Sequence, residues 1–274
     1  MNGGKNQLVE ARTSLLDALE ALREHRDSII VVGAQAVYLH TGRAEVALAE
    51  TTKDSDLAID SRTLAEDPRI EDAMKAAGFV LDPIGGQPGA WLSPTGIPVD
   101  LMVPERIAGS GRRSVRMPPH AKNAARRTRG LEAALVDSSI IEIASLVDDD
   151  KRVIGARVAG PAALLVAKLH KLTERLSDPR RLEDKDAHDI YRLLVAIPTA
   201  NLAVTMLQLL AEDISSAVTT QAIGYLRDHF AAGPDAPGSM RAGRAEYGIG
   251  EPEVVSASAS ILSQDLLAAL GRHQ

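Results

Sequence analysis

Residues 51–60 read TTKDSDLAID, and the spacing of Asp54 and Asp56 decides how the chain is read. Side chains two apart on a strand project from one face, so these carboxylates would stand together and repel. A bound cation removes that cost. A polar turn that leaves both charges in water removes it equally well, and a lone D-x-D is a weak motif.

The flanking sequence narrows the choice. Upstream, SIIVV (28–32) is a β-branched strand, and Gly33 opens a small-residue helix, AQAVYLHTG, closed by Gly42. A strand, a glycine and a helix start let backbone N–H groups at Gly33 and Ala34 approach an anion such as a triphosphate. The same pattern also serves as a plain strand-to-helix turn. Downstream, IPVDLMV (97–103) sets Asp100 between Val99 and Leu101, where an acid is costly to bury unless it pairs with an arginine or binds a metal. Two carboxylates on one strand and a third on a neighbour can hold two Mg²⁺ ions about 3.5 to 4 Å apart, the clamp that serves in-line phosphoryl chemistry. Asp54, Asp56 and Asp100 are therefore the candidate metal ligands.

Composition removes several other chemistries. The 274 residues contain no cysteine, which excludes disulfides, thiol catalysis and cysteine-bound zinc and fits a reducing, cytoplasmic setting. The histidines show no metal spacing, and no G-x-S-x-G nucleophile motif is present. Aromatics are 3% of the chain, too few to build stacking platforms for single-stranded bases. No apolar run approaches the roughly 20 residues of a membrane span, and the start MNGGKNQLVEARTSLL lacks a signal peptide's apolar stretch. No membrane partner is expected. The net charge of −6 conceals a local excess of base: residues 106–129 hold eight Lys/Arg and no acid, and the remainder has 23 bases against 37 acids. Such a segment on an acidic body suits a specific anion partner. GRRSVRMPPHAKNAARRTRG (111–130) reads as too polar and too rich in Pro and Gly to form core.

The two halves differ in texture. Residues 5–24 are an amphipathic helix, RIEDAMKAAG (69–78) is another, and FVLDP, AWLS, IPVDLMV, ALVD, SIIEIASL and RVIGARVAG are strand-like. From Pro161 the chain is helical: PAALLVAKLHKLTERL, DKDAHDIYRLLVAI, TANLAVTMLQLLAED and ISSAVTTQAIGYLRDHF, then a Gly/Pro loop over 231–240 and a last helix near SILSQDLLAALG. The expected organisation is a mixed α+β domain over 1–160 and a helical domain over 161–274. On the first of these helices Leu165, Leu169, Leu172 and Leu176 make an apolar stripe, with Lys168, Lys171 and Arg175 bordering it. On the next, Asp186 projects along the buried line and Asp189 stands one step off it. One reading is an interhelical salt-bridge network. The other has the cations binding a triphosphate while an Asp orients a Lys or accepts a proton.

The order of these parts resembles the DNA polymerase β-type nucleotidyltransferase superfamily, and more narrowly the AbiEii/AbiGii-type toxin branch. Carrying the resemblance are the strand ending in Gly33, TKDSDL, PVDLMVP, and the helices KLHKLTER and KDAHDIYRL, which match a K-x-x-A-x-x-x-R-like and a (K/R)-D-x-x-D-L-like pattern. Lys168, Arg175, Lys185, Asp186 and Asp189 stand at the matching positions, and His170 and Lys171 replace the usual small residue. Gly33-Ala34 stands where the family has Gly-Gly or Gly-Ser, which removes a hydroxyl contact to phosphate. Glu50 stands where an Arg is common, which bears on a nucleotide or substrate contact. Neither departure touches the three acids. The resemblance implies a polymerase β-like domain with a mixed sheet, and a helical domain that completes its active site. It also implies an Mg²⁺-dependent transfer of NMP from an NTP to an RNA end, tRNA above all, in a toxin with a neighbouring antitoxin. The basic segment 106–130 would meet the RNA. Transfer to a small molecule such as an aminoglycoside, and a catalytically idle binding or regulatory member, are the alternatives.

Overall fold

A computed structural model describes residues 2–42, 54–109, 111–178 and 183–272, with side chains from Gln7 onward. Glu50 lies outside the described residues. The chain divides into two compact units, Met1–Ala36 with Thr51–Ala159 and Val37–Glu50 with Gly160–Gln274.

The first unit is built on a mixed sheet of eight strands: β1 (Ile29–Val32), β2 (Ser55–Ile59), β3 (Val80–Leu81), β4 (Ala90–Leu92), β5 (Pro98–Pro104), β6 (Arg126–Thr128), β7 (Ser138–Ala144) and β8 (Val153–Ala159). Their order is 3-4-5-2-1-8-7, with β6 also paired to β5. The central strands β1 and β2 are buried along their whole length, which explains their run of Ile, Val, Leu and Ala in place of strict alternation. Helix α1 (Asn2–Ala21) lies over β2, β5 and β8, and α3 (Ile70–Ala76) packs on α1. Leu15, Leu16 and Leu19 supply the buried face of α1, and Leu22 just beyond it is buried too. Ser55 donates to the Ala11 carbonyl at 2.9 Å, so α1 covers the Ser55 side of β2. The alternation of the strand turns Asp56 to the other side.

β5 is shared along one edge by two short strands. β4 runs antiparallel to its first half (Ala90↔Asp100) and β6 parallel to its second (Met102↔Arg126). Gly89 sits at the handover with φ +75, where a Cβ would stand 2.3 Å from the Leu101 carbonyl oxygen and 2.7 Å from the Arg126 nitrogen. Only glycine fits so close an approach.

Here the basic segment departs from its composition. Val115, Met117, Ala124 and Ala125 are buried, His120 is buried against the Ala65 carbonyl, and Trp91 donates to the Ala124 carbonyl at 3.0 Å. Far from being loop throughout, 111–130 lends an edge strand and several core side chains to the sheet. ALVD (134–137) is likewise not a strand. A 3₁₀ turn, Glu132–Leu135, forms there because the buried Glu132 carboxylate accepts the N–H groups of Arg106 (3.1 Å) and Gly130 (2.8 Å).

Helix α2 (Gly33–Thr41) begins in the first unit and ends in the second. Its last turn is claimed by Arg192, a buried guanidinium that donates to the Thr41 carbonyl and hydroxyl, both at 3.2 Å, and stands over the Tyr38 ring. The second unit otherwise holds α4 (Pro161–Leu176), α5 (Lys185–Ala196), α6 (Thr199–Ala211), α7 (Asp213–Leu226), α8 (Pro237–Arg244) and α9 (Pro252–Gly271). Helix α8 falls within and beyond the segment expected as loop. Gly238 permits it, because a Cβ there would stand 2.5 Å from the Phe230 ring. Helix α9 is longer than expected, and by length and composition alone it is long and apolar enough to cross a membrane. That corrects the expectation that no segment approaches such a span. In this fold α9 packs against α5, α6 and α8.

Candidate functional site

The register of β2 and β5 brings two of the three acids together. Asp56 and Asp100 are directly paired across parallel strands, so their side chains share a face. Asp54 immediately precedes β2, two residues before Asp56. Asp56 is almost fully buried, whereas Asp54 and Asp100 are half-buried. Packing carboxylates this closely is unfavourable unless a cation answers them.

Arg126 supplies such a cation to Asp100. It stands opposite Met102, two residues beyond Asp100, and so lies diagonal to Asp100 on the same face. Its Nη2 donates to Asp100 Oδ2 at 2.7 Å. Burial by itself lowers the pKa of this guanidinium, but the hydrogen bond and charge of Asp100, with the charges of Asp56 and Asp54, raise it above the ordinary value. One arginine therefore feels all three candidate ligands. The sequence reading counted Arg126 among the RNA-facing bases and missed this pairing. Its signal was the apolar Ala124-Ala125 just ahead of RRT, the mark of a short strand in which Arg126 and Arg127 point opposite ways.

Gly33 fits under the acid pair. Val32 is paired with Asp56, and the next residue takes φ +69 as β1 turns into α2. A Cβ on Gly33 would stand 2.0 Å from Asp56 Oδ2. Gly33→Ala is thus expected to cost about 1 to 2 kcal/mol for its backbone alone and to push Asp56 out of register with Asp100. Thermal melting should fall, and transfer should fall further than stability explains. A Gly33→Ala protein with normal activity would show that the Asp56 position is not needed. Ala34 is buried, its methyl group part of the core.

The donor set is three hard carboxylates, which suits Mg²⁺ in chemistry. As arranged, no three His, Cys, Asp or Glu side chains among the described residues form a ready metal cage. One Asp100 oxygen, Oδ2, is occupied by Arg126.

The candidate residues of the second unit form a separate ionic cluster within that unit. Lys168 Nζ donates to Asp186 Oδ1 at 2.9 Å and Asp189 Oδ2 at 2.6 Å, and all three side chains are at most 5% exposed. The expectation that Lys168 borders the packed face is corrected: it is enclosed in it. Asp186 also meets Arg175 at 2.7 Å and Lys171 at 3.8 Å. Burial opposes the charge on Lys168, yet the charges of Asp189 and Asp186 raise its pKa. Burial likewise opposes ionisation of Asp186, and the charges of Lys168, Lys171 and Arg175 hold it well below the usual carboxylate range. Lys171 is the more open cation at 39% exposure, while Arg175 is also paired with Glu183. Lys185 opens α5 next to Asp184, which is clasped by Arg241 and Arg244 at 2.6 to 2.7 Å.

Comparison with known proteins places these features in a family. A family model described as nucleotidyltransferase matches residues 10–211, a span that includes the glycine turn, all three acids and Arg126, and the Lys168 cluster. No curated protein matches the sequence. Among solved structures, JHP933 from Helicobacter pylori shares 12% identity at a TM-score of 0.44, over 97% of this chain and 94% of that one. A second H. pylori protein, described as a candidate nucleotidyltransferase, shares 10% identity at a TM-score of 0.36, over 98% of each chain. With the matched region covering most of the chain, the protein belongs to the nucleotidyltransferase family and is a nucleotidyltransferase.

Proposed function

We propose that the protein transfers NMP from an NTP to the 3′ hydroxyl of an RNA, tRNA above all, with Asp54, Asp56 and Asp100 holding Mg²⁺. The observation that carries this reading is the direct pairing of Asp56 with Asp100 over Gly33, with Asp54 two residues away. Bound there, Mg²⁺ would neutralise phosphate charge and acidify the attacking hydroxyl. Asp100, partly exposed on the neighbouring strand, is the acid suited to accept the acceptor's proton. The turn at Gly33 and Ala34 offers backbone N–H groups to phosphate. In the helical unit, Lys171 and Lys185 are the candidates for phosphate contacts, because Lys168 is committed to Asp186 and Asp189 and Arg175 to Asp186 and Glu183. The resemblance of KLHKLTER and KDAHDIYRL to the AbiEii/AbiGii type supports a toxin role with a neighbouring antitoxin. Incubating the protein with each labelled NTP, Mg²⁺ and total tRNA tests the proposal: pyrophosphate release with label in RNA is expected, and neither appearing would leave an idle binding member.

A specific observation favours transfer to a small molecule as the second reading. Arg126 is paired with Asp100, and Arg127 and Arg129 each lie 3.8 Å from Glu105, so three of the segment's bases are already answered by acids. Arg112, Arg113 and Arg116 are exposed and carry the RNA reading. Replacing these three with alanine is expected to raise the RNA concentration needed for transfer and to flatten its salt dependence between roughly 50 and 200 mM, because each lost phosphate contact releases one fewer counterion. Melting should change little. Unchanged RNA and salt dependence would move the small-molecule reading ahead.

A further inference from the structure

We infer that Arg126 is a built-in counter-cation of the carboxylate cluster, and that a divalent cation must displace it from Asp100 in order to bind. The inference rests on the reading of the three acids as a cation site. The guanidinium donates to Asp100 Oδ2 at 2.7 Å, and it also lies 3.5 Å from the soft Met102 sulfur. What holds the guanidinium in place is its charge-assisted hydrogen bond to Asp100.

The backbone and the side chain differ in freedom, which is what an exchangeable counter-ion requires. β6 is pinned: Arg126 is in register with Met102, bridged to Ser114, and backed by Gly89 so closely that even a Cβ there would clash with the Arg126 nitrogen. The guanidinium end is partly open, with 22% of the Arg126 side chain and 20% of the Asp100 side chain exposed. Exchange then needs rotation of a long side chain, with no movement of the strand. Arginine suits the task better than lysine, because its flat, weakly hydrated group tolerates half-burial against carboxylate without losing its charge.

Manganese binding measured by titration calorimetry without nucleotide, on the full chain, tests this. Asp56→Asn is the control for the site itself and should abolish or sharply weaken binding. Arg126→Gln should bind Mn²⁺ about tenfold more tightly than the natural protein, since the competing cation is gone. In EDTA the same variant should melt at a lower temperature, because Asp100 loses the guanidinium that answers its charge, and Mn²⁺ should close that gap. Arg126→Lys keeps a cation and most of the stem and should tighten binding less. Arg126→Gln with unchanged or weaker Mn²⁺ affinity, while Asp56→Asn loses binding, would overturn the displacement model and leave the acid site standing. If Arg126→Gln fails to fold, Mn²⁺ affinity in Arg126→Lys no higher than in the natural protein overturns it instead. Absence of Mn²⁺ binding in the natural protein and in both arginine variants would overturn the acid-site reading and this inference with it.

Discussion

Asp56→Asn should abolish nucleotidyl transfer, by about a thousandfold or more, while leaving the fold intact. The loss follows from position: Asp56 is the buried member of the trio, paired with Asp100 on β5 and seated directly over Gly33. Several kcal/mol of charge stabilisation depend on carboxylates at such a site, and about 4 kcal/mol corresponds to three decades in rate. Stability should move the other way or not at all. An amide fills the same volume, and it removes one negative charge from a close set of three carboxylates. Single-turnover transfer and melting in EDTA should be measured on one preparation. Undiminished transfer would remove Asp56 from the mechanism; loss of transfer together with a large fall in melting temperature would make it a structural residue.

Lys168→Ala should produce the largest loss of stability, about 3 to 5 kcal/mol, since it strips the cation from two buried carboxylates. Asp186 and Asp189 are 2% and 1% exposed, and water cannot replace Lys168 without opening the contact between α4 and α5. Lys168→Ala combined with Asp189→Asn should recover part of the loss, because one orphaned charge is removed. The pH dependence has a definite sign. Asp186 ionises more readily in the fold than its ordinary value of 3.8, so its contribution is complete above that pH and is lost progressively below it. Lys168 is raised above 10.5, so its contribution is complete below that pH and is lost only above it. Melting temperature across pH 2 to 7 should therefore fall steeply below about pH 4 in the natural protein and less steeply in Lys168→Ala. A normal melting temperature for Lys168→Ala, with impaired use of NTP, would return Lys168 to substrate binding.

Local sequence determined a good deal of this molecule. The leucine spacing of α1 and α4, the β-branched run of β1, the first-turn proline at Pro161 and the glycine after α3 each act within a few residues, where helix and strand periodicity and turn preference operate. The strand through SDLAI was legible and with it the face of Asp56, and the apolar flanks of Asp100 marked it as an acid in need of a partner. Tertiary structure alone decided who the partners are. Arg126 reaches Asp100 because β6 pairs with β5 in one particular register, a choice made across 24 residues and locked by the close fit at Gly89. A one-residue slip would turn the guanidinium to the opposite face. Lys168 looked like the edge of a stripe because a helical wheel knows only its own helix. It became interior when α5 laid Asp186 and Asp189 over it, and burial between two elements is a property that neither element's sequence carries alone.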